Sequence, residues 1–518
     1  MSSASVATIG KSLFQRKIFS VSVFAIITLL IFANVGVFEH IKDKPNSIHT
    51  WAQCDRASVA ACYYNEDMNF FKPRIYNRSD GKNSGICGME FPILNYSAAI
   101  CYKLFGFNEV YYRSLNFIIL FVGLLFAFLL ADYFLNDVVF SALIVWLFLL
   151  SPVLVFYSAN FLPDTASVGF VMISWYLFMR LNDEKKSNLK LFLFFLFISL
   201  ACLVKLSSAV NLVAMSALIV SRRLFFLNEK SVPALSLKTG FVICLSFICT
   251  FCWYRYANWL NDKYQNFFFI LKSNPVSSKL EFDEVLHNTF YGPYKRYYPF
   301  LMKEIIAGAF AIYVCTFFLF KRVLAFITLL LLVGFTIISF MLLRQYEFHD
   351  YYVIPLLPLI YFLLLSVADF LKRKLLVKKY VYIPAMIILL LAVNMCMVVC
   401  KKTYRDEIYG KGYSQISYAE YDRYWKVRPY LDSLHVGKNE LVLSYYDLTP
   451  NGSLYLMDRK GTTVAYGDIE GLKSRMATNN FSYLILNDTA RFTSELYESI
   501  KNKKMGEEYG VQVYKLKH

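Results

Sequence analysis

Long apolar runs alternate with short polar segments over the first 400 residues of the chain. Each run has about 15 to 21 residues, and a helix needs roughly 20 residues to cross a bilayer core of about 30 Å. Lipid offers the backbone no hydrogen-bond partners, so segments that cross it fold as helices. The pattern therefore predicts an all-α polytopic membrane domain with about eleven transmembrane helices. The predicted spans are residues 18–38, 114–134, 138–157, 162–179, 189–204, 206–220, 239–256, 301–320, 323–343, 351–370 and 380–400.

Lysine and arginine residues concentrate in alternate connections between these runs, and this pattern predicts the orientation. Basic residues favour the cytoplasmic side of a membrane. A cytoplasmic N-terminus places most of the short basic clusters on that side, in connections 180–188, 221–238, 321–322 and 371–379. Residues 189–220 would form a helix about 48 Å long if they were continuous. We therefore expect two short spans, with Lys205 between them at the outer tip.

The largest polar regions then share the non-cytoplasmic face. One is the first external loop, residues 39–113, in which we expect juxtamembrane helices; the other is residues 401–518. The latter alternates between strand-like and helix-like patterns, which predicts a small soluble α/β domain. Its expected strands are 440–446, 483–488 and 511–516, and its expected helices are 471–479 and 493–502. The predicted division is a membrane domain over 1–400 and an external domain over 401–518.

Composition and charge narrow the classes of function. Hydrophobic residues make up 57% of the chain and charged residues 18%, against roughly 25% charged in typical soluble proteins. The net charge of +17 is carried by short clusters between apolar runs, so the expected partner is a lipid bilayer and nucleic acid is excluded. Four cysteines, Cys54, Cys62, Cys87 and Cys101, lie in the first external loop, and a disulfide among them stays open if that side is oxidising.

Two acids in the first external loop are candidate catalytic residues. Asp55 lies where a helix of small and apolar residues begins, and Glu90 precedes Pro92 and an amphipathic stretch. For Asp55 the functional interpretation is a general base held close to the membrane surface, and for Glu90 it is a metal ligand or a partner for the acceptor. Each residue also has an ordinary structural explanation, since acids cap helices and stabilise their first turns.

Three cations are candidates for binding a lipid phosphate. Lys205 lies between two apolar runs, where a charge is costly and usually functional. Arg113 begins the second predicted span and Arg296 lies in the loop 257–300. The structural alternative is an interfacial anchor for Arg113 and a solvated charge for Arg296.

The densest group of polar residues precedes the tenth predicted span. Arg344, Glu347, His349 and Asp350 fall within seven residues and are followed by two tyrosines, Tyr351 and Tyr352. An interfacial aromatic belt explains the tyrosines but not the charges beside them. Acids, cations and aromatics on one membrane face suit an anionic lipid headgroup that carries a sugar.

The order of these motifs resembles the GT-C superfamily of membrane glycosyltransferases, in the branch of the protein O-mannosyltransferases and the lipid A aminoarabinose transferases. The likeness covers about residues 15–400. It rests on Asp55 early in the first loop, the Glu90-Phe91-Pro92 motif, Leu-Phe-Gly at 104–106 followed by Arg113, Pro163-Asp164, the isolated Lys205, and the segment from His349 to Pro358.

The resemblance implies an enzyme that transfers a sugar from a polyprenyl-phosphate-linked donor, with inversion and with Asp55 as the base. The acceptor would be an envelope glycan, a lipid or a protein, on the outer face of a bacterial inner membrane. No cofactor is then required, although the resemblance leaves open a divalent metal held by Glu90 and His349. Lys205, Arg113 and Arg296 would bind the donor phosphate, with His349, Asp350, Tyr351 and Tyr352 around the donor.

The chain departs from these families at two motifs. Many relatives have Asp-Glu where this chain has Asp55-Arg56, and the aminoarabinose transferases have Glu-Lys-Pro in place of Glu90-Phe91-Pro92. Lys205 or Arg296 would then supply the missing phosphate-binding cation. Two other functions remain as alternatives: a transporter or flippase for lipid-linked glycans, and a polymerase or ligase of O-antigen chains. The transporter would need paired polar residues within its spans and internal repeats.

Overall fold

A computed structural model describes most of the chain. The described residues are 3–80, 82–182, 187–224, 232–233, 236–270, 275–376, 378–411, 415–465, 467–478, 480–487, 497–498 and 500–516. Up to residue 411 the described chain is largely helical, and the sheet is confined to residues 442–515.

Helices occupy all eleven of the predicted apolar runs, and further helices lie in the loops between them. In chain order they are α1 (Ser3–Val35), α2 (Thr50–Asn65), α3 (Ile93–Phe105), α4 (Val110–Leu135), α5 (Val138–Leu149), α6 (Pro152–Ser158), α7 (Asp164–Met179), α8 (Ser187–Val204), α9 (Ala209–Leu224), α10 (Leu237–Tyr264), α11 (Lys279–Tyr291), α12 (Tyr294–Tyr297), α13 (Phe300–Cys315), α14 (Arg322–Phe348), α15 (Pro358–Lys374) and α16 (Lys379–Ile408). Short 3-10 helices cover Val37–His40, Leu206–Ser208, Phe317–Leu319 and Asp350–Leu356.

The number of membrane crossings is smaller when length and hydropathy are both required. Among the described residues, five helices meet both conditions: Gln15–Val35, α4, α10, α14 and α16. Two bent pairs raise the number to seven, namely α5 with α6, bent by 83°, and Asp350–Leu356 with α15, bent by 47°. Helices α7, α8 and α9 are apolar but shorter. The predicted count of eleven is therefore not confirmed, because several expected spans are short or broken.

Proline explains both bends. Pro152 begins α6 directly after Ser151, whose side chain accepts a hydrogen bond from the Leu154 amide. Pro355 lies inside the 3-10 helix and Pro358 begins α15. A proline provides no amide hydrogen and collides with the preceding turn, so it ends one helix and begins another.

Glycine permits a close contact between the α4 and α7 backbones in the membrane domain. A Cβ atom on Gly123 of α4 would lie 2.4 Å from the Cα of Gly169 in α7, and a Cβ on Gly169 would lie 2.4 Å from the Ile119 carbonyl oxygen. Small residues let helix backbones approach this closely in a membrane, where packing has to replace hydrophobic driving force. This contact fixes the position of α7, whose first residue is Asp164.

The C-terminal residues form a mixed sheet with short helices. Its strands are β1 (Val442–Tyr445), β2 (Gly461–Val464), β3 (Tyr483–Leu486), β4 (Lys504–Glu508) and β5 (Val511–Lys515), in the order β2-β1-β3-β5-β4. Strand β1 is parallel to both β2 and β3, whereas β5 is antiparallel to β3 and β4. The helices are α17 (Gln415–Lys426), α18 (Arg428–Ser433), α19 (Gly452–Met457) and α20 (Ile469–Ala477).

This region has the predicted small α/β character. Strands β1, β3 and β5 lie at the three expected strand positions, and α20 matches the helix expected at 471–479. Strands β2 and β4 were not predicted, and half of the residues of the helix expected at 493–502 lie outside the described residues. The predicted domain border at 400/401 lies inside α16, which continues to Ile408.

The first external loop lies directly against the edge strand β2. The Gly461 amide donates to the Tyr76 carbonyl at 3.1 Å, and the Arg78 amide donates to the Gly461 carbonyl at 2.6 Å. Tyr76 also donates its hydroxyl proton to Asp458 at 3.0 Å. The loop thus covers part of an open sheet edge. Cys54, Cys62, Cys87 and Cys101 of this loop are all free thiols, so the disulfide left open by the sequence is not formed.

Candidate active site

A pocket of about 400 Å³ opens between the first external loop and the membrane helices. Its wall has a polar part and an apolar part. The polar part comes from Arg56, Glu90, Lys205, Ser207, Tyr254, Gln345, Tyr351 and Tyr352, and the apolar part comes from Leu206, Phe269, Ile270, Ile338, Met341 and Leu342. A volume of a few hundred cubic ångströms, with a few polar groups in an apolar wall, is typical of a site for a small molecule.

Three contacts position Glu90 at the pocket. Gly88 approaches α10 so closely that a Cβ atom there would lie 1.8 Å from the Ala257 carbonyl oxygen. Trp253 of α10 donates its indole proton to the Met89 carbonyl at 3.0 Å, and the Phe91 amide donates to the Leu203 carbonyl at 3.0 Å. The segment around Glu90 is therefore held by both α8 and α10.

Arg56 joins α2 to this acid. Its Nη2 atom lies 2.5 Å from Glu90 Oε1, and its guanidinium carbon lies 4.4 Å from the centre of the Phe269 ring. The Nε atom of Arg56 is buried and has no hydrogen-bond partner among the described residues. A buried charged donor without a partner is costly, so this nitrogen indicates where a ligand atom would bind.

Lys205 forms the second ion pair of the pocket. It lies in the break between α8 and the 3-10 helix Leu206–Ser208, and its Nζ atom is 2.7 Å from Asp164 Oδ1 at the start of α7. The same nitrogen lies 4.5 Å from the centre of the Tyr352 ring and 5.4 Å from that of Tyr351. The neighbouring Ser207 hydroxyl is buried without a hydrogen-bond partner in the described part of the chain.

Asp55 precedes Arg56 on α2 and is 4% exposed. It is not among the residues that line the pocket. Its Oδ1 atom accepts a hydrogen bond of 2.9 Å from the Asn451 side chain of the C-terminal domain. Burial raises the pKa of Asp55 to about 7, the Asn451 hydrogen bond and the Arg56 charge oppose the rise, and the charges of Asp447 and Glu90 add to it. A carboxyl group with a pKa near neutrality suits a general base.

A second group of charged side chains is also buried. Asp350 accepts the Tyr157 hydroxyl proton at 2.9 Å, pairs with Arg296, and lies 3.3 Å from His49 Nε2. Arg296 Nε lies 3.2 Å from Glu407 Oε1. Buried charges are tolerated only when they are paired in this way. The group connects α6, α12 and α16 to the residue before Tyr351, and so it supports the pocket wall.

His349 lies between this buried group and the pocket. Its ring is 5.5 Å from the ring of Tyr351, 5.6 Å from that of Tyr352 and 5.7 Å from that of His49. Burial and the neighbouring His49 lower the pKa of His349 to about 3. His349 is therefore a neutral ring that packs behind the tyrosines. The contact between His49 and His349 also brings the first external loop against the segment that follows α14.

The structure brings together only part of the predicted site. Glu90, Lys205, Tyr351 and Tyr352 line the pocket, whereas Asp55, His349 and Asp350 do not. Asp55 and Asp350 adjoin the lining residues Arg56 and Tyr351 in the chain, and the His349 ring packs against the rings of Tyr351 and Tyr352. Arg113 and Arg296 do not line it. Arg113 donates to the carbonyls of Asp43, Lys44 and Ala159 at 2.8, 2.9 and 2.7 Å, and Arg296 is engaged by Asp350 and Glu407. These two arginines hold loops together instead of facing a ligand.

The first two charged residues of the segment before Tyr351 have a structural role. Arg344 pairs with Glu281, and Glu347 accepts a hydrogen bond of 2.7 Å from the Asn288 side chain, so both residues fasten α11 to the end of α14.

No group of three or more histidine, cysteine or acidic side chains is placed to hold a metal ion in the described ranges. Glu90 and His349 thus have no third ligand of these types there, and Glu90 pairs with Arg56.

Several contributors to the site were not predicted, among them Ser207 and Tyr254 of the pocket wall, Arg56 and Asn451. Arg56 entered the sequence comparison only as a departure from an Asp-Glu motif, although a cation beside a candidate acid was itself a signal. Asn451 had no local signal, because it lies in a polar turn almost 400 residues after Asp55.

The fold and site define a polytopic membrane protein with a charged pocket and a small C-terminal α/β domain. A family model described as dolichyl-phosphate-mannose-protein mannosyltransferase matches residues 90–254. That range holds Glu90, Lys205 and Tyr254 of the pocket, and Asp55 and Tyr351 lie outside it. No curated protein matches the chain.

Solved structures match over almost the whole chain. ArnT from Cupriavidus metallidurans bound to undecaprenyl phosphate is 12% identical, with a TM-score of 0.60, and the match covers 96% of this chain and 98% of that one. The apo state of the same protein gives 10% identity and a TM-score of 0.57 at the same coverage. The oligosaccharyltransferase of Archaeoglobus fulgidus in complex with Zn and sulfate is 14% identical over 89% of this chain and 67% of that one, with a TM-score of 0.52. The resemblance to the GT-C superfamily is thereby confirmed, at the level of the fold.

Proposed function

We propose that this protein is an integral membrane glycosyltransferase that moves a sugar from a polyprenyl-phosphate-linked donor to an acceptor. The observation that carries the proposal is the pocket in which Arg56 and Lys205 face an apolar wall, with donors on Arg56 and Ser207 that lack partners among the described residues. This arrangement suits a ligand that is anionic at one end and apolar at the other.

The phosphate of the donor is assigned to Arg56 and Lys205. Arg56 pairs with Glu90 and Lys205 with Asp164, so these four groups balance in charge before a ligand binds. A phosphodiester adds one negative charge, and the free donors of the guanidinium, the ammonium group and Ser207 can receive its oxygens. Because the two cations already supply positive charge to the leaving phosphate, the proposed reaction needs no cofactor.

The sugar is assigned to the aromatic side of the pocket. The rings of Tyr351 and Tyr352 lie 5.1 Å apart in a stacked arrangement, and Tyr254 lies on the same pocket wall. Tyrosine offers an apolar ring face and a hydroxyl group, which together match a sugar ring and its hydroxyls. Met341 and Leu342 of α14, on the apolar side, leave room for the first part of the polyprenyl chain.

Asp55 is assigned as the general base. The acceptor hydroxyl oxygen attacks the anomeric carbon from the side opposite the phosphate, and Asp55 takes its proton. The bond between the anomeric carbon and the phosphate oxygen breaks, and polyprenyl phosphate leaves with the bonding electrons. This displacement inverts the anomeric configuration. A pKa near 7 leaves a large share of Asp55 ionised at neutral pH and ready to accept a proton.

The proposal also includes the placement in the membrane that the charge pattern predicts. The eleven apolar runs cross a bacterial inner membrane, the N-terminus is cytoplasmic, and the pocket and residues 401–518 lie on the outer side. The acceptor is then an envelope glycan, a lipid or a protein. The contact between His49 and His349 supports a single shared face for the first loop and the segment after α14.

The release of polyprenyl phosphate tests this function without knowledge of the acceptor. Purified protein in nanodiscs is incubated with a panel of polyprenyl-phosphate-linked sugars and a membrane extract, and the freed lipid phosphate is measured by mass spectrometry. We expect release with the wild type and none above background with Asp55→Asn. Equal release by both proteins would remove Asp55 from the mechanism, and no release by the wild type across the panel would count against the function.

A further inference from the structure

We infer that Asn451 is a positioning residue for the Asp55 carboxylate, and that the C-terminal domain therefore completes the active site. This inference rests on the proposed function, because it assigns a role to the partner of the proposed base. The domain is otherwise easily taken for a cap on the membrane helices, or for a module that only recognises acceptors.

The orientation of the Asn451 amide group follows from its two partners. The Asn77 amide donates to Asn451 Oδ1 at 2.9 Å, so that atom must be the carbonyl oxygen. The NH2 end is then the one that lies 2.9 Å from Asp55 Oδ1. Asn451 has no exposed surface, and both ends of its side chain are used by the first external loop.

The turn that carries Asn451 is held by an acid of its own domain. Asp447 accepts hydrogen bonds from the Thr449 amide at 2.9 Å and from the Ser453 amide at 2.8 Å, on either side of Asn451. The Asn77 side chain donates to the Pro450 carbonyl at 2.8 Å, which fastens the turn to the loop a second time. The position of Asn451 is therefore fixed by its own domain and by the first external loop, and its hydrogen bond to Asp55 in turn restrains the orientation of that carboxylate.

The hydrogen bond has two consequences for a base. It holds Oδ1, which leaves Oδ2 as the oxygen that we assign to the acceptor proton. It also favours the ionised carboxylate, and so it opposes the rise in pKa that burial causes. Without the amide, Asp55 would keep its proton to a higher pH and would rotate more freely about its side-chain bonds.

The isosteric variant Asn451→Asp separates orientation from docking. The new side chain keeps an acceptor for the Asn77 amide, replaces the donor toward Asp55 with oxygen, and adds a second buried carboxyl group. We expect the acid limb of the kcat/KM profile for lipid phosphate release to move up by roughly one pH unit or more. Asn451→Ala adds no charge to the buried site, and we expect its limb to move in the same direction by a smaller amount.

Asp458→Asn is the matched control. Asp458 accepts a hydrogen bond from the Tyr76 hydroxyl and so belongs to the same contact between the C-terminal domain and the first external loop, but it does not contact Asp55. It has a left-handed backbone with φ of 55°, which asparagine adopts readily. We expect this variant to weaken the docking while the acid limb stays where it is in the wild type.

A second readout does not depend on turnover. Carbodiimides label protonated carboxyl groups, and peptide mass spectrometry gives the pH at which half of Asp55 is labelled. We expect this midpoint to rise in both Asn451 variants and to stay unchanged in Asp458→Asn. An unchanged midpoint and an unchanged acid limb in both Asn451 variants would overturn the inference. A shifted midpoint combined with full turnover by Asp55→Asn would instead overturn the proposed base and leave the Asn451 contact intact.

Discussion

Lys205 Nζ lies 2.7 Å from Asp164 Oδ1, which joins the break after α8 to the first residue of α7. Asp164 is 1% exposed. A pair of this kind permits a cation to remain at the edge of an apolar region, where an isolated charge is costly. It also leaves two of the three ammonium protons free for a ligand in the pocket.

Lys205→Met should damage both stability and turnover. It leaves Asp164 buried without its partner, which costs about 3–5 kcal/mol in comparable cases. The double variant Lys205→Met/Asp164→Asn removes both charges, and we expect it to recover most of the thermal stability measured in detergent. Turnover should stay about 100-fold low in the double variant, because the leaving phosphate has lost its cation. Recovery of turnover together with stability would show that Lys205 has only a structural task.

Arg56→Lys should weaken donor binding although it keeps the charge. The Arg56 guanidinium lies over the Phe269 ring and forms a short pair with Glu90, and lysine lacks the planar group with several donors that makes both contacts. We expect the KM for the lipid-linked donor to rise roughly tenfold, which corresponds to about 1.4 kcal/mol. Arg74→Lys is the control, since Arg74 pairs with Glu66 in the same loop and does not line the pocket. A wild-type KM in Arg56→Lys would exclude Arg56 from donor binding.

The pH dependence of turnover should show an acid limb near pH 7. Only the ionised form of Asp55 accepts a proton, and its pKa is raised to about 7, so activity should rise as the pH increases through that value. Glu109 is also buried and also has a pKa raised to about 7 by burial, but its partner is Tyr455. We expect Glu109→Gln to keep the limb. Loss of the acid limb in Glu109→Gln would show that the limb reports the ionisation of Glu109 and not that of Asp55.

Asp350→Asn should destabilise the membrane domain. Asp350 is fully buried and pairs with Arg296 and His49, so its neutralisation breaks a buried ion pair and leaves the Arg296 guanidinium with Glu407 as its remaining acidic partner. We expect a loss of about 3–5 kcal/mol in the free energy of unfolding. Asp422→Asn is the comparison, because Asp422 forms its ion pairs with Lys44 and Lys426 near the surface and should cost less than about 1 kcal/mol. Equal effects of the two changes would argue against a stabilising role for the buried group.

Much of the fold follows from local patterns, and the site follows only in part. Apolar runs and prolines mark the membrane helices, and an isolated Lys205 or paired tyrosines stand out from their surroundings. The number of crossings does not follow, because the bends at Pro152 and Pro355 break two of the expected spans and because α7, α8 and α9 are shorter than the five long apolar helices. Strand β2 is short and follows a turn, and it becomes a strand through its pairing with β1.

Long-range contacts decide the rest of the site. Arg113 resembles a phosphate ligand in sequence, yet three carbonyl groups from distant segments occupy its guanidinium. Asn451 resembles an ordinary turn residue until the fold brings it to Asp55. Burial and pairing of this kind depend on the tertiary structure, and the local pattern of residues in a single sequence does not reveal them.

The position of the donor phosphate is the most direct test of the proposed site. A cryo-electron microscopy structure of the protein in nanodiscs with bound polyprenyl phosphate would locate it. We expect the phosphate density within hydrogen-bond distance of Lys205 and Arg56, with the chain leaving along Met341 and Leu342. Phosphate density instead at the separate basic pocket formed by Lys401, Lys402 and Arg405 near the end of α16 would contradict the assignment.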